Sequence, residues 1–460
     1  MEGSKRNVAD FLSLLLVSGV SLAFACWFSY KFSPGIMSFD SLSQYRQVLG
    51  VVPLSDAHPV IMVYLWRGLL AVFDTPGAML AFHQLFYWAV IAIFVSLAVR
   101  KLQYRLVLLV VIGWCPPLVI MSIHIWKDVG MMCALGLAVA MLVGYVQRPH
   151  WGWLAVSIFS LFYASAVRVN GFIPAGLLLV LVCYFAVVKL NLSKVKATSL
   201  VLAAVVGFVV MYSSVMGVVN SSAKRSYGLG TLVVWDIVSI SLSENKNLLP
   251  EYLPLRMQGD TLQLLRSSNS VDANYPSYDV VSPYPPEDKE KQLVRDWITL
   301  VTAHPLPYLK HRTHVFLVLL GVANEKIYYP YHPGIDENDL GLKFSSVSNE
   351  EMASYFRLFD TVSKSFLYRP WLYFLLSVGV CILAGFRLIK GRGNKFRNLL
   401  SATVAASGLA STASLFVIAT AADYRYIIWM IMSALLSSVI LASDYMHGRK
   451  LAEGTRSNLS

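Results

Sequence analysis

The main signal along the chain is a series of long apolar stretches without any Lys, Arg, Asp or Glu. About 17–25 apolar helical residues cross a bilayer core. Ten stretches meet that length or come close: 11–30, 78–99, 106–123, 129–146, 151–167, 172–188, 198–219, 371–386, 398–420 and 427–443. A charge at the middle of a spanning helix costs at least ~2.5–3.5 kcal/mol, so the charged residues between stretches mark their ends. The pattern predicts an all-α polytopic membrane protein with about ten transmembrane helices. Residues 59–73 are apolar but short, and Arg67 interrupts them. They predict an amphipathic helix lying on the membrane surface.

Composition narrows the class. Of the 460 residues, 56% are hydrophobic and 14% charged, against ~25% charged in an ordinary soluble domain. A water-soluble enzyme, a coiled coil and a disordered chain are excluded. The net charge of +12 is unevenly spread: residues 220–369 hold 15 basic and 17 acidic residues. The positive excess therefore lies between apolar segments, where it orients a membrane protein, and does not point to nucleic acid. With Met1–Arg6 placed inside, 17 basic residues fall on internal loops and 6 on short external ones. This predicts both termini in the cytoplasm and an uncleaved first helix. Three modules follow: 1–219 with seven transmembrane helices and an external loop at 31–77, an external (periplasmic) subdomain at 220–369, and 370–460 with three more helices. Cys26, Cys115, Cys133, Cys183 and Cys381 all fall in apolar stretches without paired spacing and read as buried small hydrophobes.

The chemistry-bearing residues gather at predicted external helix ends. Asp40 lies in the first external loop, and Asp56, His58 and Pro59 close it. Lys127-Asp128 opens the fourth spanning stretch, Arg168-Val169-Asn170-Gly171 joins the fifth and sixth, and Asp423-Tyr424-Arg425-Tyr426 joins the last two. Cations at headgroup depth with a carboxylate nearby suit a lipid-linked phosphate substrate and proton transfer. Each residue also has an ordinary reading. Asp40 and His58 serve equally as helix caps, Lys127-Asp128 as an interfacial anchor with an N-cap, and Arg168 and Arg425 as membrane anchors. His332, Asp336, Glu337 and Asp339 are interleaved with Gly and Asn and read as a solvated loop, not as a metal cluster.

In order and place, these motifs resemble the GT-C superfamily of membrane glycosyltransferases, which use polyprenyl-linked sugars on the external face. Ser38-Phe39-Asp40-Ser41 stands where that family keeps an essential acid, and Ala57-His58-Pro59-Val60 is similar to its His-Pro motif. Trp126-Lys127-Asp128 matches the polar second external loop in position. Arg168-Val169-Asn170-Gly171 and Tyr424-Arg425-Tyr426 are similar to its cation motifs near the donor phosphate. Trp297, His304-Pro305, Tyr308-Leu309 and Arg312 also resemble bacterial members. Size and architecture look like the bacterial and phage-type enzymes that decorate O-antigen in the inner membrane.

The resemblance implies Asp40 as catalytic base, Lys127, Arg168 and Arg425 as donor-phosphate ligands, and His58, Asp128, Asn170 and Tyr426 in support. It implies a polyprenyl-phosphate sugar as donor, a glycan or lipid-linked oligosaccharide as acceptor, and inversion at the anomeric carbon. The Asp-x-Asp pair of metal-dependent members is missing, since Ser41 and Leu42 follow Asp40. No cofactor is therefore expected, and a divalent metal is the disfavoured option. An O-antigen polymerase is the nearest alternative. A transporter or lipid flippase is the alternative of another class; it would place its ionisable groups at the bilayer midplane, where this sequence has none.

Overall fold

The computed structural model describes residues 2–325 and 327–457, with side chains described for 10–325 and 327–443. Helix accounts for 73% of the chain, with no strand among the described residues. In chain order the helices are α1 (Glu2–Lys31), α2 (Phe39–Leu49), α3 (Val60–Phe73), α4 (Ala78–Ala98), α5 (Leu102–Gly113), α6 (Pro116–Ser122), α7 (Lys127–Gln147), α8 (Trp151–Val167), α9 (Phe172–Leu190) and α10 (Lys194–Val219). Then follow α11 (Leu229–Ser243), α12 (Thr261–Ser268), α13 (Pro276–Asp279), α14 (Glu290–Ala303), α15 (Pro305–Leu319), α16 (Asn349–Ser363), α17 (Pro370–Ile389), α18 (Lys395–Ile418) and α19 (Ile428–Ser457).

Eight helices are long and apolar enough to cross a membrane, and a ninth span is a bent pair. That pair corrects the straight helix expected over 106–123. α5 and α6 meet at 68°, because Pro116 and Pro117 follow the break and cannot continue the ladder from α5. α8 is the other departure from ten full spans. It has 17 residues, about 25 Å at 1.5 Å per residue, and packs closely against α7. The fold is that of an all-α protein crossing a membrane many times.

α3 does not cross. It starts at Pro59, beside Lys127 at the head of α7, and it ends before Gly77, which packs against Ser33 at the end of α1. Both ends of α3 thus lie at one face of the bundle. Arg67 in its middle reaches back to α2, donating to the carbonyls of Val48 at 3.0 Å and Gln47 at 2.6 Å.

The main core runs through α4, α6, α7 and α19, where Trp88 and Trp429 are fully buried, and Trp66 of α3 joins it. Residues between 233 and 293 form a second, smaller core around Val234, Ile237, Val281 and Leu293. α15 and α16, by contrast, pack on the main core through Val315, Val318, Met352 and Phe359. A helix break falls at His304, between α14 and α15, where Pro305 opens the second helix.

Two details differ from the sequence reading. His332 is 3% exposed and so is not part of a solvated loop. Its neighbour Asp339 is exposed and pairs with Arg46. Cys26 is exposed on the outer side of α1, where an apolar bilayer suits it as well as a core does. The basic residues Lys5, Arg6, Arg449, Lys450 and Arg456, used in the charge asymmetry, lie outside the described side chains.

Candidate active site

The site is built on short extended segments linking helix ends. Gly35, at φ +114°, turns the chain after α1; a Cβ there would meet Ile125 at 2.6 Å. Ile36 then pairs in parallel with His124, its amide donating to Ile123 O and its carbonyl accepting from Ile125 N. Met37 pairs on its other side with Ile335. The segment entering α2 is therefore stitched from both flanks. Ser38 takes the N-cap position, but its hydroxyl makes no capping bond and accepts instead from Trp126 Nε1 at 2.9 Å. Ser41 Oγ donates to Ile125 O at 2.8 Å. These bonds fix the first turn of α2, which carries Asp40.

The segment 421–424 is held in the same manner. Ala421 pairs with Ala273, and Asp423 with Tyr328. Asp423 Oδ1 then accepts from the amide of Arg425 at 3.1 Å, and Asp423 Oδ2 lies 2.8 Å from Arg425 Nε. This leaves the other edge of the guanidinium for Asp40, whose Oδ2 accepts from Arg425 Nη1 at 2.8 Å. One arginine thus bridges two carboxylates from opposite ends of the chain. Its plane lies over Trp126, 5.0 Å to the ring centre, with Tyr426 5.7 Å away.

Arg168 caps the C-terminus of α8 and faces the start of α7. It donates to Asp128 Oδ2 at 2.9 Å and to Asn170 Oδ1 at 2.9 Å. Asp128 is fully buried, so this pair is a structural tie between α7 and α8. Arg168 also sits 4.7 Å from the Tyr426 ring, which brings both guanidiniums to one aromatic side chain. Gly171 closes the turn beyond it; a Cβ there would lie 2.5 Å from Ala164 O.

Lys127 differs from both arginines. It is half-buried, its charge reaches Asp40, and its ammonium makes no hydrogen bond or ion pair with any described residue. His58 completes the group, with Nδ1 buried and without a partner. Burial and then Lys127 push the His58 ring down to about 4, so it is neutral at pH 7. Burial pushes the Asp40 carboxyl up, but Arg425, Lys127 and His58 outweigh it and hold Asp40 well below the usual carboxylate range. Asp40 is 33% exposed, whereas Arg425 is 15% exposed. The carboxylate is therefore the part of the pair that an incoming molecule meets first. Tyr278, on the four-residue helix α13, stands close enough for Asp40 and Arg425 to act on its phenol.

Asp40, His58, Lys127, Arg425 and Tyr426 thus converge, and Arg168, Asp128 and Asn170 form an adjoining, internally satisfied cluster. Sequence reading missed Trp126 as the floor under Arg425, and Asp423 as its second anchor. Asp423 stood two residues from Arg425, a spacing that invites a side-chain-to-backbone bond. Nothing local pointed to Tyr278.

A second buried centre lies in the smaller core. Asp236 Oδ1 is 2.6 Å from Arg312 Nη2, and both are fully buried. Asp236 Oδ2 accepts from Trp297 Nε1 at 3.0 Å, and Arg312 Nη1 donates to Ala419 O at 2.6 Å. The Trp297 and Arg312 positions singled out in the sequence belong here, away from Asp40. Among the described residues no group of three His, Cys, Asp or Glu side chains converges to hold a metal.

A scan against protein-family models, a search of curated proteins and a search of solved structures each returned no match to this chain.

Proposed function

We propose that this chain is an integral-membrane glycosyltransferase that moves a sugar, a hexose such as glucose, from a polyprenyl-phosphate donor to a hydroxyl of a glycan such as O-antigen. The observation that carries the reading is the juxtaposition of a partly exposed carboxylate, Asp40, with a bridging guanidinium, Arg425, and an unpaired ammonium, Lys127. Two fixed cations at headgroup depth match the charge of one phosphate monoester.

In this reading the acceptor oxygen attacks the anomeric carbon, and its proton passes to Asp40. The bond from that carbon to the phosphate oxygen breaks, and its electron pair leaves with the polyprenyl phosphate. Arg425 and Lys127 stabilise the charge that develops there. Asp40 paired to Arg425 is too weak a base for this step, since a useful base titrates nearer the working pH. Donor phosphate competes for the same guanidinium. As Arg425 turns to the phosphate, Asp40 loses its partner and gains basicity, so the base is armed only when the donor is bound. His58, neutral and unpartnered, is placed to orient the acceptor hydroxyl. Arg425, held by Asp423, and Lys127 supply the positive charge in this reading.

The test is transfer by the purified full-length chain from a radiolabelled polyprenyl-monophosphate hexose to a glycan acceptor. Asp40→Asn lowers the rate by a factor on the order of 10²–10⁴, with thermal stability retained and wild-type activity unaffected by EDTA. Undiminished transfer in Asp40→Asn removes the base. Loss on chelation with recovery on Mn²⁺ makes Asp40 a metal ligand instead. In a deletion strain, loss of a side-branch sugar supports the proposal, whereas loss of the O-antigen length ladder makes the chain a polymerase.

A further inference from the structure

The opposite face of the bundle holds a second cationic site unrelated to Asp40. α17 begins near the site, two residues after Tyr368, whose carbonyl accepts from Tyr424, and it ends at Ile389 on the far side. There the chain reads Arg387, Lys390, Arg392, Lys395 and Arg397, and no Asp or Glu occurs between Asp360 and Asp423. Lys395 and Arg397 fall in the first turn of α18, with no acid there. A helix N-terminus repels cations and attracts anions, so an anion beside Lys395 would stabilise the start of α18.

A groove of about 590 Å³ opens at this point between α9 and the α17–α18 turn. Leu181 and Tyr184 form its apolar wall, and Arg387, Arg392 and Lys395 its rim. The turn is built, not loose. Gly391 and Gly393 both take left-handed conformations, and Arg392 between them has its backbone tied at both ends. Its amide donates to Arg387 O at 2.8 Å, and its carbonyl accepts from Asn398 Nδ2 at 2.8 Å. Asn398 also lines the groove. It is 1% exposed, yet its Oδ1 has no hydrogen-bond partner, a costly arrangement unless a donor arrives. The groove continues along α9 and α10 past Val180 and Tyr184, with a further 510 Å³ or so. On the other side of Arg387 and Arg392 a third groove, of about 930 Å³, runs between α17 and α19.

We propose that this face binds an anionic glycerophospholipid of the leaflet opposite Asp40. Its phosphate sits at Arg392 and Lys395, a headgroup hydroxyl donates to Asn398 Oδ1, and its acyl chains lie in the apolar grooves flanking the turn. A zwitterionic lipid supplies the chains but brings an ammonium to a rim already cationic. Basic pockets between spanning helices recognise anionic headgroups by this charge logic.

Native mass spectrometry of the purified full-length chain with dioleoyl phosphatidylglycerol, dioleoyl phosphatidylcholine or glycerol 3-phosphate tests it. Phosphatidylglycerol binds roughly tenfold or more tighter than phosphatidylcholine, from two cations near the headgroup. Arg392→Gln with Lys395→Gln abolishes that preference, and Arg100→Gln, a cation on the same face outside the groove, leaves it intact. Asn398→Leu weakens phosphatidylglycerol but not phosphatidic acid, which lacks the headgroup hydroxyl. Should the double variant not fold, Leu181→Trp fills the groove from α9 and lowers phosphatidylglycerol binding with the rim unchanged. Equal binding of the two diacyl lipids, or a preference surviving the double substitution, overturns the proposal. Saturable binding of glycerol 3-phosphate alone, equal to that of the lipid, replaces it with a free-phosphate site.

Discussion

Two aspartate–arginine centres stand in this molecule, and they are built on opposite principles. Asp236 and Arg312 are both fully buried, with Trp297 and Ala419 O taking further bonds on either side. Asp40 and Arg425 face an opening, with Asp40 33% exposed and an unpaired Lys127 alongside. A buried, closed pair adds rigidity at a desolvation cost. An open pair with a spare cation can exchange partners. What separates the two centres is therefore access from outside and the spare ammonium beside Asp40, not the pair itself.

Removing Arg312 gives the largest expected effect. Arg312→Ala strands Asp236 without a counter-charge and destabilises the fold by about 3–5 kcal/mol, read as a lowered unfolding midpoint. The double variant Asp236→Leu with Arg312→Met recovers much of the loss, because it leaves no orphaned charge. A small effect in the single variant would put the two centres in one class. Next comes Lys127→Met, which keeps length and apolar stem but removes the free ammonium. It raises the donor KM by about 10–100-fold, the worth of one charge-assisted hydrogen bond, while melting temperature holds. If the variant melts early with normal donor KM, Lys127 is a membrane anchor.

A finer cut lies between the two arginines near Tyr426. Arg425 makes contacts on both edges of its fork, and Lys cannot reproduce that geometry. Arg425→Lys lowers donor use by roughly tenfold, more than it lowers acceptor use. Arg168→Lys, whose partners are Asp128 and Asn170, shows mainly in stability. Equal kinetic losses in the two variants would merge the adjoining clusters.

The smallest effect concerns His58. Its native value of about 4 lies below the unfolded value of about 6.5. The unfolded chain takes up a proton as pH falls through 6.5, and the native one does not. The stabilisation from neutral His58 is thus full above pH 6.5 and is lost progressively down to about pH 4. Wild type therefore loses more melting temperature between pH 7 and 5 than His58→Gln does. Parallel curves would mean His58 is solvated and titrates normally.

The sequence made the spans legible because charges are excluded from them, and the short, Arg-interrupted α3 could be set apart for the same reason. The bend between α5 and α6 was written in Pro116-Pro117 but needed the structure to show a kink instead of an ending. The candidate site was legible as a set of residues at helix ends, not as a set of contacts. Asp40 and Arg425 are 385 positions apart, and no local pattern reports a pairing at that distance. Lys127, Arg168 and Arg425 looked equivalent because all three are cations at helix ends. Only packing decides that Asp128 satisfies Arg168, that Asp423 and Asp40 share Arg425, and that Lys127 is left over. His332 misled for the converse reason. Its Gly- and Asn-rich neighbours read as solvated, yet its amide donates to His124 Nε2 at 3.0 Å and carries it inward.

The 385-residue separation of Asp40 from Arg425 also has a meaning in time. Ribosomes add about 5–20 residues per second, so roughly 20–80 s pass between synthesis of the acid and synthesis of its partner. Through that interval Asp40 stands without the guanidinium that pairs with it. The Asp40–Arg425 pair thus closes only once the chain has been made past Arg425, and any product cut short before that residue lacks it.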